Sequence, residues 1–443
     1  APRIDRVFFA QQHVLEPTNE YFKLVSNLEA LVKVQVYADQ PIASPEVFAV
    51  LKLGDRQRDL PLRGPATLPV PYPGDPVLMP HRYEDSFTAI IPRQWVQPGL
   101  EVAIELRDYD YTEAQNYGVY TKTSVAVNSI EVLDRRDLGP IKVGAPSPLV
   151  MNMFDFHYFG RGVEADHPTG WEAEFAARYP ISEMTLYRVE DIMLDEIVWA
   201  PHQGQPSMRL TSPEEFEQRF GQPLDGEQGM ALRWSGALKR AAGHMGPWRL
   251  YYINICGMQA GGQAAKFRSV GSIHRNGVIL HEVGHSFGLP HWFRNKRYPY
   301  HSTMYGQTPG EPTAANAGPT WGYDLNRRAF LPAYTKTDKG YQWTRDPMAG
   351  GGRYPGPEFI YRHFSDFSVH RMQWFLENRV VYWNEQLGSY AKWNHETGAY
   401  DQVVENDGMQ LPIERDVPVI SVLVTANLVV PDALDPELIG MVP

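Results

Sequence analysis

Cysteine is almost missing: Cys256 is the single one in 443 residues. That count excludes a disulfide framework and a thiolate zinc site, although a secreted bacterial protein can do without either. Long apolar runs are missing too. The longest uncharged one near the C-terminus extends only from Val417 to Val430, short of the roughly 20 residues a membrane-spanning helix needs. Positive charge is not in excess, with 41 Lys and Arg against 52 Asp and Glu and a net charge of −11. No basic stripe is present, which argues against nucleic-acid binding, and the mild acidity mainly favours solubility. There is no internal repeat and no low-complexity tract. The chain opens at Ala1 without an apolar leader, which fits either a removed signal peptide or trimmed ends.

What is present is ordinary globular composition, 43% hydrophobic and 21% charged, over a length suited to two or three domains. The first part reads as β-structure: Arg6–Ala10, Ala30–Val36 and Val102–Leu106 are short apolar runs parted by turn formers such as Gly64-Pro65 and Pro71-Tyr72-Pro73-Gly74. Residues 1–140 are therefore expected to form a β-sandwich, immunoglobulin-like in arrangement. Asp108-Tyr109-Asp110-Tyr111 lacks the glycine and terminal glutamate of a calcium loop and reads as solvated. From about Gly144 the texture becomes mixed, so residues 141–400 are expected to form an α+β catalytic domain, with 401–443 a C-terminal β extension. Helices are expected over 226–242, 276–289 and 366–382, and strands over 248–255 and 418–424. Residues 290–357 read as a long irregular region rich in glycine and proline.

One segment carries the chemistry: His281-Glu282-Val283-Gly284-His285-Ser286-Phe287-Gly288-Leu289-Pro290-His291. It matches His-Glu-x-x-His-x-x-Gly-x-x-His, a pattern expected by chance roughly once in ten thousand such chains. Residues four apart on a helix lie one turn above each other, so His281 and His285 present two imidazoles to one metal ion. Ile279, Val283 and Phe287 take the opposite side and can pack. Gly288 can adopt positive φ and end the helix, and Pro290 cannot continue it, so the chain can swing His291 back as a third ligand. Three neutral nitrogens leave a fourth tetrahedral position open, the catalytic arrangement for one zinc ion. That ion would polarise a carbonyl and lower the pKa of water to about 7. Glu282, rotated off the ligand face, is placed to take the water's proton and deliver it to the leaving amine. These residues describe metal-assisted peptide hydrolysis.

The same stretch contains Gly284-His285-Ser286-Phe287-Gly288, which fits the nucleophile elbow of serine esterases. That alternative makes Ser286 the nucleophile and His363 or His370 its base, and leaves His281, Glu282 and His291 without a purpose. A glycan-binding adhesin with a vestigial metal site is a further alternative, against which the intact Glu282 argues. His274 and His301 read as loop histidines.

The extended signature resembles that of the metzincin zinc proteases. The likeness narrows with Val7-Phe8-Phe9-Ala10-Gln11-Gln12-His13-Val14, Gly144–Leu149, Trp321-Gly322-Tyr323-Asp324 and Asp346–Gly351. Over most of residues 1–380 the chain is similar to the bacterial secreted virulence proteases of the StcE, TagA and dictomallein type. The resemblance implies a metzincin-type domain with a mixed sheet and a long active-site helix, secretion, and cleavage of mucin-like O-glycosylated proteins. It carries the zinc ligands onto His281, His285 and His291 and the catalytic role onto Glu282. It also implies a methionine turn beneath the metal, at Met348 just ahead of the last helix or alternatively at Met304. A substrate would pair with an exposed edge strand, expected within 259–268, with Gly261, Gly262 and Gln263 as contacts. Trp292 and Trp321, with Tyr298, Tyr300 and Tyr305, are candidate platforms for sugars. A protein substrate without glycans, such as a matrix protein, is the alternative. A monomer is expected.

Overall fold

The computed structural model describes residues 1–72, 79–111, 127–159, 167–199, 208–244 except 223 and 225, 249–257, 261–273, 277–291, 294, 297–300, 317–349 except 339, 359–403, 411, 417, 421–425 and 437–442. The chain forms two compact units. The first contains Ala1–Pro146 and Ala317–Trp343; the second takes in the described residues of Ser147–Met304 and Thr344–Pro443.

The first unit begins with β1 (Arg3–Ala10), β2 (Val14–Leu15), β3 (Leu24–Val25), β4 (Ala30–Tyr37), β5 (Glu46–Leu53), β6 (Arg56–Leu62), β7 (Phe87–Ile91), β8 (Glu101–Tyr111), β9 (Val127–Pro140) and β10 (Val143–Gly144). Two four-stranded antiparallel sheets result, ordered β2-β1-β4-β7 and β6-β5-β8-β9. Side chains alternate between the faces of a strand. Val7, Phe9, Val32, Val34 and Val36 of one sheet thus share a core with Val47, Ala49, Leu51, Val102, Ile104 and Leu106 of the other.

The second unit continues with β11 (Leu149–Tyr158), α1 (Trp171–Ala176), β12 (Met184–Arg188), β13 (Ile192–Leu194), β14 (Ile197–Trp199), β15 (Met208–Leu210), α2 (Pro213–Phe220), α3 (Glu227–Ala241), β16 (Leu250–Ile255), β17 (Gly262–Ala265), β18 (Arg268–Gly271) and α4 (Val278–Ser286). Its sheet is mixed, ordered β12-β11-β16-β18-β17, with β13 also beside β11. β11 runs parallel to β12, β13 and β16, and β16 parallel to β18, while β17 lies antiparallel at the edge. β16 is buried throughout, as expected of a central strand covered on both faces. One face, through Met151, Met153, Leu250 and Tyr252, packs against Ile279, Leu280 and Val283 of α4. The other, through Phe154, Phe156, Tyr251 and Ile253, packs against Ala231 and Leu238 of α3.

The region expected to be irregular holds two short hairpins, formed by β19 (Gly322–Asp324) with β20 (Ala329–Leu331) and β21 (Tyr334–Thr337) with β22 (Gly340–Trp343). Strands of three or four residues are too short to show a period, so the sequence concealed them. They return to the first unit, where Val14 N–H donates to Trp321 O at 2.9 Å and Tyr323 N–H to Gln12 O at 2.8 Å. Trp321, Tyr323 and Trp343 join Phe8, Ala10, Val14 and Leu31 in a second core. The polar residues of β4 are buried too: Lys33 is 1% and Gln35 2% exposed, with Gln35 Nε2 3.2 Å from Met79 Sδ and Lys33 Nζ 5.1 Å from the Phe8 ring centroid. Desolvation lowers the Lys33 pKa to about 7.

The second unit ends with α5 (Asp366–Arg379), β23 (Tyr382–Asn384), β24 (Ser389–Asn394), β25 (Ala399–Gln402), β26 (Ser421–Thr425) and β27 (Glu437–Val442). Val369, Met372 and Leu376 of α5 complete the core that holds α4. Among the described residues no helix is long and apolar enough to cross a membrane.

Candidate metal centre

α4 is shorter than expected, nine residues rather than a long helix. Gly277 precedes it with φ 66°, and a glycine bend closes it. Gly288 has φ 84°; its N–H donates to His285 O at 3.0 Å, and Leu289 N–H reaches back to Gly284 O at 3.0 Å. This pair of bonds is the Schellman closure, which requires a left-handed residue. The chain then returns His291 towards the helix.

The three histidines meet. Their ligand nitrogens lie within 4.8 Å of one another, and His281 Nε2 stands 3.0 Å from His285 Nε2 and 3.2 Å from His291 Nε2. Ligands about 2.0–2.1 Å from zinc would be separated by roughly 3.3 Å in tetrahedral geometry. The other ring nitrogens fix the tautomers. His281 Nδ1 lies 2.8 Å from Pro347 O and His285 Nδ1 2.6 Å from Leu289 O. A carbonyl can only accept, so each Nδ1 carries the proton and each Nε2 keeps a lone pair directed at its neighbours. Burial, foremost, lowers the His285 pKa to about 4, and burial likewise lowers that of His291. Both rings are therefore neutral near pH 7, the form that binds metal. The donor set fits a divalent ion of borderline softness such as zinc. Among the described residues, no other group of three His, Cys, Asp or Glu comes together in this way.

Glu282 lies 5% exposed, and burial pushes its pKa up to about 7. Its carboxylate rests against β17: a Cβ added at Gly262 would fall 2.6 Å from Glu282 Cγ and 2.8 Å from Oε1. Gly261 (φ 84°) and the exposed Gln263 flank Gly262 on the same edge. Met348, 2% exposed, sits in a 3-10 turn over Pro347–Ala349. Its Sδ would be 2.7 Å from a Cβ at Gly284 in α4. Met304, Trp292, Tyr305, His274 and His301 lie outside the described residues.

Other candidates stand elsewhere. Trp321 is in the core of the first unit, its ring edge-on to His81 at 5.7 Å. Tyr298 and Tyr300 are buried rather than open platforms, and Tyr300 Oη donates to Asp366 Oδ1 at 2.7 Å. Ser286 is 1% exposed, and its hydroxyl engages Ala265 O, Arg268 O and Ser269 Oγ at 2.6–3.0 Å, none of them a base. An esterase nucleophile cannot work from that position. Cys256 is buried, and desolvation raises its pKa to about 12, which makes it inert.

Sequence reasoning missed Asp346. It is fully buried and accepts from Met348 N at 2.8 Å, Ser365 N at 2.8 Å and Ser368 Oγ at 3.0 Å. Its only signals were its place two residues before Met348 and the Ser365-x-x-Ser368 pattern at the start of α5.

The peptidase M66 family model matches residues 81–381. Dictomallein of Burkholderia mallei strain SAVP1 is 23% identical over 483 residues, covering 95% of this chain and 64% of that protein. Dictomallein of Burkholderia pseudomallei strain K96243 gives the same values. Dictomallein-2 of Dictyostelium discoideum is 23% identical over 479 residues, covering 96% of this chain and 73% of its own length. The chain thus spans a little under two thirds of the Burkholderia relatives.

Proposed function

The chain belongs to the peptidase M66 family, and from that premise we propose that it is a zinc endopeptidase whose single ion is held by His281, His285 and His291. The observation that carries this reading is the convergence of three Nε2 atoms, with two of the rings donating through Nδ1 to the carbonyls of Pro347 and Leu289. When bound, zinc supplies Lewis acidity that polarises the scissile carbonyl and acidifies water. Glu282 takes the proton of the attacking water and delivers it to the departing amine. Its burial suits that task, because desolvation raises the pKa of the carboxyl and makes it a stronger base for that proton. The peptide is held in extended form along β17, whose outer edge is the last in the sheet. Met348 is the methionine turn beneath the metal.

The substrate we favour is a mucin-like O-glycosylated protein met outside a bacterial cell, supported by the likeness to dictomallein. A secreted monomer fits that role. The two antiparallel sheets of the first unit, joined by one core, support reading it as an immunoglobulin-like sandwich, and the second unit is read as a metzincin-type domain. Two measurements test the proposal. Glu282→Gln should retain one zinc per chain yet lose on the order of 10²–10⁴ in kcat; normal turnover by that variant refutes the base. A mucin-domain protein should be cut before enzymatic deglycosylation and poorly after it. Equal cleavage of both forms favours an unglycosylated substrate.

A further inference from the structure

Resting on the reading of the three histidines as metal ligands, we propose that Asp346 is a positioning residue for that centre. It fixes His281 through the carbonyl of Pro347. Two backbone N–H groups and two side-chain hydroxyls converge on Asp346. Its Oδ1 takes Met348 N–H at 2.8 Å and so closes the turn that contains Pro347. Its Oδ2 takes Ser365 N–H at 2.8 Å and Ser368 Oγ at 3.0 Å. That second pair locks the turn to the first residues of α5, where Ser365 Oγ in turn accepts Ser368 N–H at 3.1 Å. The Tyr298 hydroxyl, on the chain that follows His291, also bonds Asp346 and Ser365.

The geometry gives this hub a task beyond stability. Pro347 O stands between Asp346 and Met348 and receives His281 Nδ1–H at 2.8 Å. A shift of the turn moves that acceptor and frees the ring to rotate about χ2 or to exchange tautomers, and either withdraws Nε2 from its neighbours. His285 has no such dependence, because its acceptor Leu289 O is only four residues away. Replacing Asp346 by Asn puts an NH₂ group opposite either Met348 N–H or Ser365 N–H, donor against donor, with almost no change in volume. Partners of this kind behind a ligating histidine typically change metal affinity by 10–100-fold.

The test is zinc titration of the full chain against a chromophoric chelator, for wild type, Asp346→Asn and the milder Ser368→Ala, with metal-free thermal melts alongside. Asp346→Asn should weaken zinc binding about 10–100-fold, and excess zinc should restore most of its activity. Ser368→Ala, which removes one bond to the same carboxylate, should weaken zinc several-fold while melting near wild type, and it carries the test where Asp346→Asn does not fold. Variants that bind zinc within about threefold of wild type overturn the proposal, however much their metal-free melting falls, since Asp346 then only stabilises the fold. A wild-type chain that takes up no zinc refutes the metal reading itself, a separate result.

Discussion

Gly262 faces the Glu282 carboxylate, the proposed base, without a side chain, and Gly262→Ala should disable that base while leaving zinc binding intact. The new Cβ would stand 2.6 Å from Glu282 Cγ, 2.8 Å from its Oε1 and 2.6 Å from Val270 O. Carbon atoms rest at about 3.5–4.0 Å, so the deficit is roughly 1 Å. Val270 O belongs to the paired strand β18 and cannot give way without disturbing the Gln263–Val270 register. The Glu282 side chain is the softer neighbour and moves instead. A displacement of about 1 Å can cost on the order of 10²-fold in rate, which is about 2.7 kcal/mol of transition-state stabilisation. Overpacking should remove about 1–3 kcal/mol of stability as well.

The assay is kcat/KM on a peptide substrate with zinc content measured on the same sample, in both the wild-type and Glu282→Gln backgrounds. We expect a fall of about 100-fold at unchanged zinc in the first background and little further loss in the second, because both changes act on one group. Two results refute this reasoning. One is a Gly262→Ala enzyme within about threefold of wild type. The other is an equal loss in the Glu282→Gln background, which would place the damage in the edge strand rather than in the base.

Gly288→Ala should weaken zinc binding and lower the melting temperature, since an L residue at φ 84° costs about 1–2 kcal/mol and its Cβ would lie 2.8 Å from Phe375 Cδ2; zinc titration checks it. Lys33→Met should stabilise the chain near pH 7 and flatten its stability between about pH 7 and 10.5. The unfolded lysine holds its proton up to about 10.5 and the folded one only to about 7, so the unfolded state binds more protons across that window and wild-type stability rises with pH by a few kcal/mol. Burial dominates this shift, Asp85 opposes it and Arg6 adds to it; melts of both proteins at pH 6 and 9 give the difference. A fragment beginning at Ser147 should aggregate. It keeps Trp321, Tyr323 and Trp343 but loses Phe8, Val14 and Leu31, which cover them. At about 200 Å² per ring and 25 cal/mol per Å², the lost burial is on the order of 10 kcal/mol; dye binding and light scattering measure the outcome.

Legibility in the sequence followed the range of the interactions. The histidine spacing on α4, the bend at Gly288 and the glycine-rich edge at Gly261–Gly262 are local patterns, and the fold places each as its neighbours in sequence require. The end of the helix was misjudged by only three residues, because the Schellman closure begins before the glycine that permits it. What stayed hidden depends on distant chain. Val-Lys-Val-Gln-Val in β4 alternates apolar with polar residues, yet Lys33 and Gln35 are buried as well, Gln35 against Met79, which follows 44 positions later. Tyr298 and Tyr300 look like sugar platforms until Asp346 and Asp366 engage their hydroxyls. Ser286 looks like a nucleophile until β17 and β18 supply the carbonyls that occupy it.

The same distinction divides the candidate metal centre. Orientation of His285 comes from Leu289 O, and return of His291 comes from Gly288, so both are written within the eleven residues of the motif. Orientation of His281 comes from Pro347 O, 66 residues away in sequence, and that carbonyl is held by Asp346 against α5. A chain could therefore keep every residue of the signature and still hold zinc poorly, if the Asp346 turn or the first turn of α5 were altered. Two of the three supports travel with the motif, while the third is a property of the folded unit. On that proposal, the motif together with Asp346, Ser365 and Ser368 would mark a working centre better than the motif alone.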